Sequence, residues 1–219
     1  MRFAILPAAG KSSRMGRPKL TLPLGERTIL EHVLAALRQA EVEHVLVVIG
    51  PHVAELAALT EAAGGLVCSL DAPPNGMRGT VDCGLRWLEE RFKPRPEDTW
   101  LLVPADHPAL DPSVIPQLES ASASHPQFSI AIPTHNGRRG HPTLFAWKHV
   151  EAIRAWPAEL GLNTYVRQHA AQTLEVPVDS PGVLWDMDTP EDYEWLRQNW
   201  HSLSASLSES RSKAGINSR

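Results

Sequence analysis

Three features of this 219-residue sequence predict an α/β fold with a doubly wound, mostly parallel sheet and helices on both faces. Short aliphatic segments recur along the chain, helix-like stretches separate them, and a loop of small and cationic residues follows the first segment. Continuous aliphatic runs suit strands covered on both faces, and strand–helix alternation at this spacing builds right-handed parallel crossovers. Ligands of such sheets sit beyond the carboxyl ends of the strands, where that first loop lies.

Strands are expected at residues 3–6, 44–49, 66–69, 100–103, 129–132 and 174–178. The first helix spans 28–40, with Ile29, Val33, Leu34 and Leu37 on one stripe and Thr28 with Glu31 forming a capping box. Further helices are expected at 53–63, 80–91 and 113–123, the last announced by Asp111-Pro112. Beyond residue 133 the rhythm changes to a polar loop over 134–140, a short strand over 143–145, and helices over 147–155 and 163–171. Residues 1–200 thus read as one domain, whereas 201–219, with seven serines and little apolar periodicity, read as a disordered tail.

Composition narrows the function classes. A 42% hydrophobic and 21% charged chain of net charge −4 is neither disorder-like nor basic enough for a nucleic-acid surface. Its longest aliphatic run, from Val45 to Ile49, is far below the ~20 residues of a membrane span, and Lys11 and Arg14 interrupt the start too early for a secretory signal. The chain is therefore expected to start its mature form at Met1. Cys68 and Cys83 are too few for a disulfide framework, which suits a reducing cytoplasm. The spacings of His107, His125, His135, His141 and His149 do not reproduce the helical zinc-protease motif and no cysteine pair joins them, so they read as scattered histidines, and Trp185 and Trp195 read as packing residues.

The chemistry concentrates in Pro7-Ala8-Ala9-Gly10-Lys11-Ser12-Ser13-Arg14-Met15-Gly16-Arg17-Pro18-Lys19-Leu20. Ala8, Ala9 and Gly10 let the backbone approach a ligand closely, and Lys11, Arg14, Arg17 and Lys19 supply charge for phosphates. A Walker A loop is excluded because Ile5 stands where its first glycine is required, and Ala8 and Lys11 break the dinucleotide glycine pattern.

This stretch resembles the L-A-A/G-G-x-S-x-R-M-G-x-P-K signature of the MobA-like NTP transferase family, with Pro7 in place of the leucine. Pro104-Ala105-Asp106-His107-Pro108, Asn136-Gly137-Arg138-Arg139-Gly140-His141-Pro142 and Asp186-Met187-Asp188-Thr189-Pro190-Glu191-Asp192 resemble segments of its molybdenum cofactor cytidylyltransferase branch. The resemblance covers about residues 1 to 200 and implies the Rossmann-like sheet of the nucleotide-diphospho-sugar transferases. It implies nucleotide contacts at Ala8, Ala9, Gly10, Lys11, Arg14 and Lys19, with Gly76, Met77 and Gly79 against the base. Ala9, the form associated with pyrimidine nucleotides, points to CTP. Asp106 and Asp188 are implied as Mg²⁺ ligands, with Asp186 beside them, and Arg138, Arg139 and His141 as contacts to an anionic acceptor.

Simpler readings stay open at each place. Asp106 before a proline can cap a turn, Asp188-Thr189-Pro190 can start a helix, residues 75–80 can form a plain turn, and arginines in a polar loop are often solvated. One segment departs from the branch: residues 157–165 retain little of its G-D-x-G-A-R motif. The resemblance therefore carries nucleotidyl transfer further than it carries the acceptor.

The function implied is transfer of CMP from CTP to a phosphorylated acceptor, molybdopterin in this branch, with release of pyrophosphate. Arg14, Lys19 and Asp106 would carry the catalysis, and an ionised phosphate acceptor needs no general base. A molybdoenzyme would be the corresponding delivery partner. The rivals are a sugar-phosphate or alcohol-phosphate nucleotidyltransferase with the same first loop, and a non-catalytic nucleotide-binding chaperone or regulator.

Overall fold

The computed structural model describes every residue except Pro73, Asn75, Ala158 and 217–219, and only the helical backbone over 206–216. In chain order the first half comprises β1 (Arg2–Ala8), β2 (Pro23–Leu24), β3 (Arg27–Thr28), α1 (Ile29–Gln39), β4 (His44–Ile49), α2 (Glu55–Ala62), β5 (Leu66–Ser69) and α3 (Gly76–Phe92). The second half comprises β6 (Thr99–Leu102), α4 (Val114–Ser124), β7 (Ile130–His135), β8 (Arg138–Arg139), β9 (Thr143–Ala146), α5 (Val150–Ala155), α6 (Leu162–Gln168), β10 (Thr173–Pro177) and α7 (Pro190–Ile216).

The main sheet runs β10-β7-β9-β6-β1-β4-β5. β1 pairs in parallel with β4 and β6, β4 with β5, and β10 with β7, while β9 is antiparallel to both β6 and β7. Strand alternation sends side chains to two separate cores. Phe3, Ile5, Leu46, Val48, Trp100 and Leu102 pack under α3, α5 and α6. Ala4, Leu6, Val47, Ile49, Leu101 and Val103 meet the apolar faces of α1, α4 and α7. Both faces are thus covered, as the unbroken aliphatic runs require.

α1 carries the expected capping box: the Glu31 amide donates to the Thr28 hydroxyl at 3.3 Å, and Glu31 Oε2 accepts from the Thr28 amide at 2.7 Å. Two short pairings depart from expectation. β2 and β3 form a hairpin of four residues, too short to show alternation. The region read as a polar loop over 134–140 is a hairpin in which β8 pairs with the end of β7. Asn136 (φ +50) and Gly137 (φ +73) form its turn, and Asn-Gly between strands is the sequence signal that marks it.

At its near end the tail also differs from expectation. α7 continues past residue 201 because Trp200 and Leu203, three residues apart, pack as one apolar stripe on the core, with the Trp200 ring 4.4 Å from His32.

Candidate active site

The chain leaves β1 for β4 on one side and returns to β6 on the other, so a crevice opens beyond the carboxyl ends of β1 and β6. In open α/β sheets this reversal of strand order is where ligands bind. Here it holds a cleft of about 560 Å³ between the loop after β1, the loop after β6 and the start of α3. The segment before α7 closes one end: the Met187 amide donates to the Asp106 carbonyl at 3.2 Å, which brings Asp188 beside Asp106.

Ala8 and Ala9 are buried at the end of β1, and Gly10 and Lys11 follow exposed on the cleft wall. Ser12 turns the loop back, its carbonyl accepting from the Met15 and Gly16 amides at 3.0 and 3.1 Å. Gly16 holds φ +66, a left-handed conformation that glycine adopts without strain. The Ser12 hydroxyl then accepts from the Lys19 amide at 3.3 Å, folding Lys19 towards the floor.

The Lys19 ammonium is the centre of the site. It donates to the Asp106 carboxylate, to Asp188 Oδ1 at 2.9 Å and to the Met187 carbonyl at 2.8 Å, so its three N–H groups meet three acceptors. Arg14, 73% exposed at the rim, donates to the other Asp188 oxygen. Burial disfavours the Lys19 charge, but the carboxylates of Asp106 and Asp188 outweigh it and raise the pKa. The hydrogen bond from Lys19 holds Asp188 below the usual carboxylate range.

Asp106 and Asp188, 82 positions apart in the sequence, therefore touch one ammonium, and their nearest oxygens lie within ~6 Å, two hydrogen-bond lengths. Asp188 faces the loop rather than capping α7. That cap is made by Thr189 and Asp192, with the Asp192 carboxylate accepting from the Asp188 and Thr189 amides at 3.0 and 2.7 Å. Asp186 does not join the pair: it is exposed and lines a separate groove with Trp185 and Trp195. Trp195, expected as a packing residue, is 47% exposed.

Two hard carboxylates and no sulfur or imidazole make a donor set suited to Mg²⁺, which takes one or two carboxylates and completes its shell with phosphates and water. Among the described residues no group of three or more His, Cys, Asp or Glu side chains gathers as a metal cluster.

On the opposite wall Gly76 and Met77 line the cleft together with Thr80. α3 starts at Gly76, four residues earlier than expected, and Gly79 falls within it and off the cleft lining. Asn75, part of the same motif, lies outside the described residues. Arg78 turns away and donates to the Ile153 and Arg154 carbonyls at 2.7 and 2.9 Å, bracing the start of α3 against the end of α5.

The residues expected at the acceptor are not gathered here. Arg138 and Arg139 form β8, outside the cleft lining, and Arg139 is engaged by Glu175 at 2.8 and 2.6 Å. His141 lies outside the cleft lining with its ring 5.4 Å from His107, and burial lowers its pKa to about 4. It is neutral at pH 7 and offers no charge to an anion. Within the divergent 157–165 segment, Leu162 and Tyr165 are the core-facing residues of the first turn of α6, and Ala158 lies outside the described residues.

A cationic loop and paired carboxylates thus lie at the switch point of a doubly wound sheet, the place where such sheets bind ligands. Residues 4–173 match the model of the MobA-like NTP transferase domain, and the chain belongs to that family. It is a nucleotidyltransferase of this superfamily. It is 29% identical over 212 residues to the molybdenum cofactor guanylyltransferase of Rhizobium meliloti (strain 1021), covering 89% of this chain and 88% of that protein. It is also 29% identical over 206 residues to the purine catabolism protein PucB of Bacillus subtilis (strain 168), covering 90% and 96%. Among solved structures, Rv0371c of Mycobacterium tuberculosis H37Rv superposes with a TM-score of 0.73 at 23% identity, covering 90% of this chain and 97% of that one.

Proposed function

We propose that the chain transfers CMP from CTP to a phosphorylated acceptor of the molybdopterin class and releases pyrophosphate, with Mg²⁺ held by Asp106 and Asp188. The observation that carries the reading is the Lys19 ammonium bridging Asp106 and Asp188 in the crevice beyond β1 and β6. In-line transfer to an acceptor that is already ionised requires position and charge neutralisation rather than a general base. The Ala8–Gly10 backbone gives the donor a close surface, and Arg14 and Lys19 neutralise the negative charge that builds on the departing pyrophosphate. A bound metal supplies Lewis-acid polarisation of the phosphoryl group under attack. Asp106 and Asp188 also hold Lys19 in place, so the carboxylates orient the cation as well as offering ligands to the metal.

Ala9, which lies at the cleft lining, supports the choice of CTP through the pyrimidine-associated form of the loop. A second reading, GMP from GTP, is favoured by the relative named as a molybdenum cofactor guanylyltransferase, whose name also supports the acceptor. Pyrophosphate release from CTP and from GTP, each with Mg²⁺ and purified molybdopterin, separates the two. Release from neither, with sugar phosphates also tested as acceptors, would remove both.

A further inference from the structure

The signature loop is fastened at its far end by a contact that the chemistry above does not use. Tyr193 lies in the first turn of α7, five residues beyond Asp188, and is 5% exposed. Its hydroxyl donates to the Pro23 carbonyl at 2.7 Å, and the Arg17 guanidinium lies 5.4 Å from its ring centroid. Pro23 is tied back to Lys19 through a short braced segment: the Leu22 amide donates to the Lys19 carbonyl at 3.3 Å, and the Leu22 carbonyl accepts from Ile29 at 3.1 Å.

On the other side Tyr193 is tied to Asp188. Its amide donates to the Thr189 carbonyl at 3.2 Å, and the neighbouring Asp192 carboxylate holds the Asp188 amide. One buried side chain therefore ties β2, which follows the loop that presents Arg14 and Lys19, to the segment that presents Asp188. A buried phenol must place its hydroxyl on a partner, and here that partner is the Pro23 carbonyl at the start of β2, just past the loop it would position.

We propose that Tyr193 is a positioning residue for nucleotidyl transfer, its hydroxyl setting the span between Lys19 and Asp188 at which the donor phosphates are held. The inference rests on the transfer reading above. It separates the ring, which belongs to the core, from the hydroxyl, which serves the site. Small displacements of positioning groups cost rate far more than they cost folding.

Tyr193→Phe tests it, since the ring and its packing remain. With the full chain, CTP, Mg²⁺ and purified molybdopterin, kcat should fall about tenfold while KM for CTP stays within about twofold, and melting should shift by only a few degrees. A second measurement uses Lys19→Ala as background. A hydroxyl acting through Lys19 has little left to do there, so adding Tyr193→Phe should lower kcat by less than about twofold, whereas an independent loosening of the fold would repeat its full factor. Unchanged kcat in the single variant, or the same factor in both backgrounds, would overturn the inference. If the wild-type chain releases pyrophosphate from neither CTP nor GTP, the transfer reading falls and takes this one with it. An active wild type with an unaffected Tyr193→Phe removes this inference alone.

Discussion

Removing Lys19 tests the site most directly, because the structure changes what the loss should do. From sequence, Lys19 reads as a loop cation that supplies charge for phosphates. In the fold its ammonium instead sits between Asp106 and Asp188, 16% exposed. Lys19→Ala leaves two carboxylates whose nearest oxygens lie within ~6 Å of each other, with Arg14 paired to one of them. Two unit charges at that separation repel by about 3 kcal/mol at an effective dielectric constant near 20. Asp188 is 39% exposed, and solvent screening reduces the expected destabilisation to ~1–2 kcal/mol. For a domain of this size that is a fall in Tm of roughly 2–8 °C.

Turnover should fall further than stability. One preorganised charge on the leaving group accounts for ~2–4 kcal/mol of barrier, roughly 30- to 900-fold in rate. The decisive assay is a pair of measurements: pyrophosphate release under saturating donor, and thermal melting across a Mg²⁺ titration. The variant exposes an uncompensated carboxylate pair, so Mg²⁺ should raise its Tm more than it raises that of the wild type. A Lys19→Ala chain with normal turnover, melting at the wild-type temperature and indifferent to Mg²⁺, would refute the assignment of this cluster as the reaction centre.

Other expectations follow from the same geometry. CTP should bind more tightly than GTP by ~1–3 kcal/mol in Mg²⁺, the scale of a one-group misfit in a pocket, and calorimetric titration showing equal affinity or a GTP preference would shift the donor to guanine. Asp106→Asn keeps the side-chain volume but removes a hard anionic ligand, and should lower turnover by ~100-fold or more with a raised Mg²⁺ requirement; unchanged Mg²⁺ dependence argues for a turn-capping role. Gly140→Ala places a Cβ 2.3 Å from the Val183 carbonyl oxygen, and should cost ~1–3 kcal/mol in denaturant unfolding. His149, buried 20 positions from Ser129 in sequence but bonded to its hydroxyl and to Tyr165, has its pKa lowered to about 4. The unfolded chain binds the extra proton between that value and about 6.5, so stability falls as pH is lowered through this window, by ~2 kcal/mol at pH 5 relative to pH 7. His149→Gln should flatten that part of the profile, and an unaltered profile would place the acid sensitivity elsewhere.

What the sequence reveals divides along physical lines. The buried strands and α1 are legible because each carries its own signal: an aliphatic run for a doubly covered strand, or a capping box with an apolar stripe. β8 and the β2–β3 hairpin are less so, since two-residue strands have no period, although Asn136-Gly137 marks the first. Within the site, Arg14, Lys19, Asp106 and Asp188 stand out by residue type and neighbourhood, and the fold brings these four together.

The partners of those residues are what escape a linear reading. Lys19 looks like a free cation until the return of the chain from β10 to α7 places Asp188 and the Met187 carbonyl against it. Arg139 looks available until β10 sets Glu175 beside it, and His141 looks ionisable until the hairpin buries it against His107. In the first two cases the unreadable part is a charge pairing across more than thirty residues, and in the third it is burial by a distant segment. The charge a ligand would meet at this cleft is therefore a property of the closed sheet rather than of the motif: the loop contributes the cations, but the segment entering α7 sets Asp188 against two of them, Arg14 and Lys19.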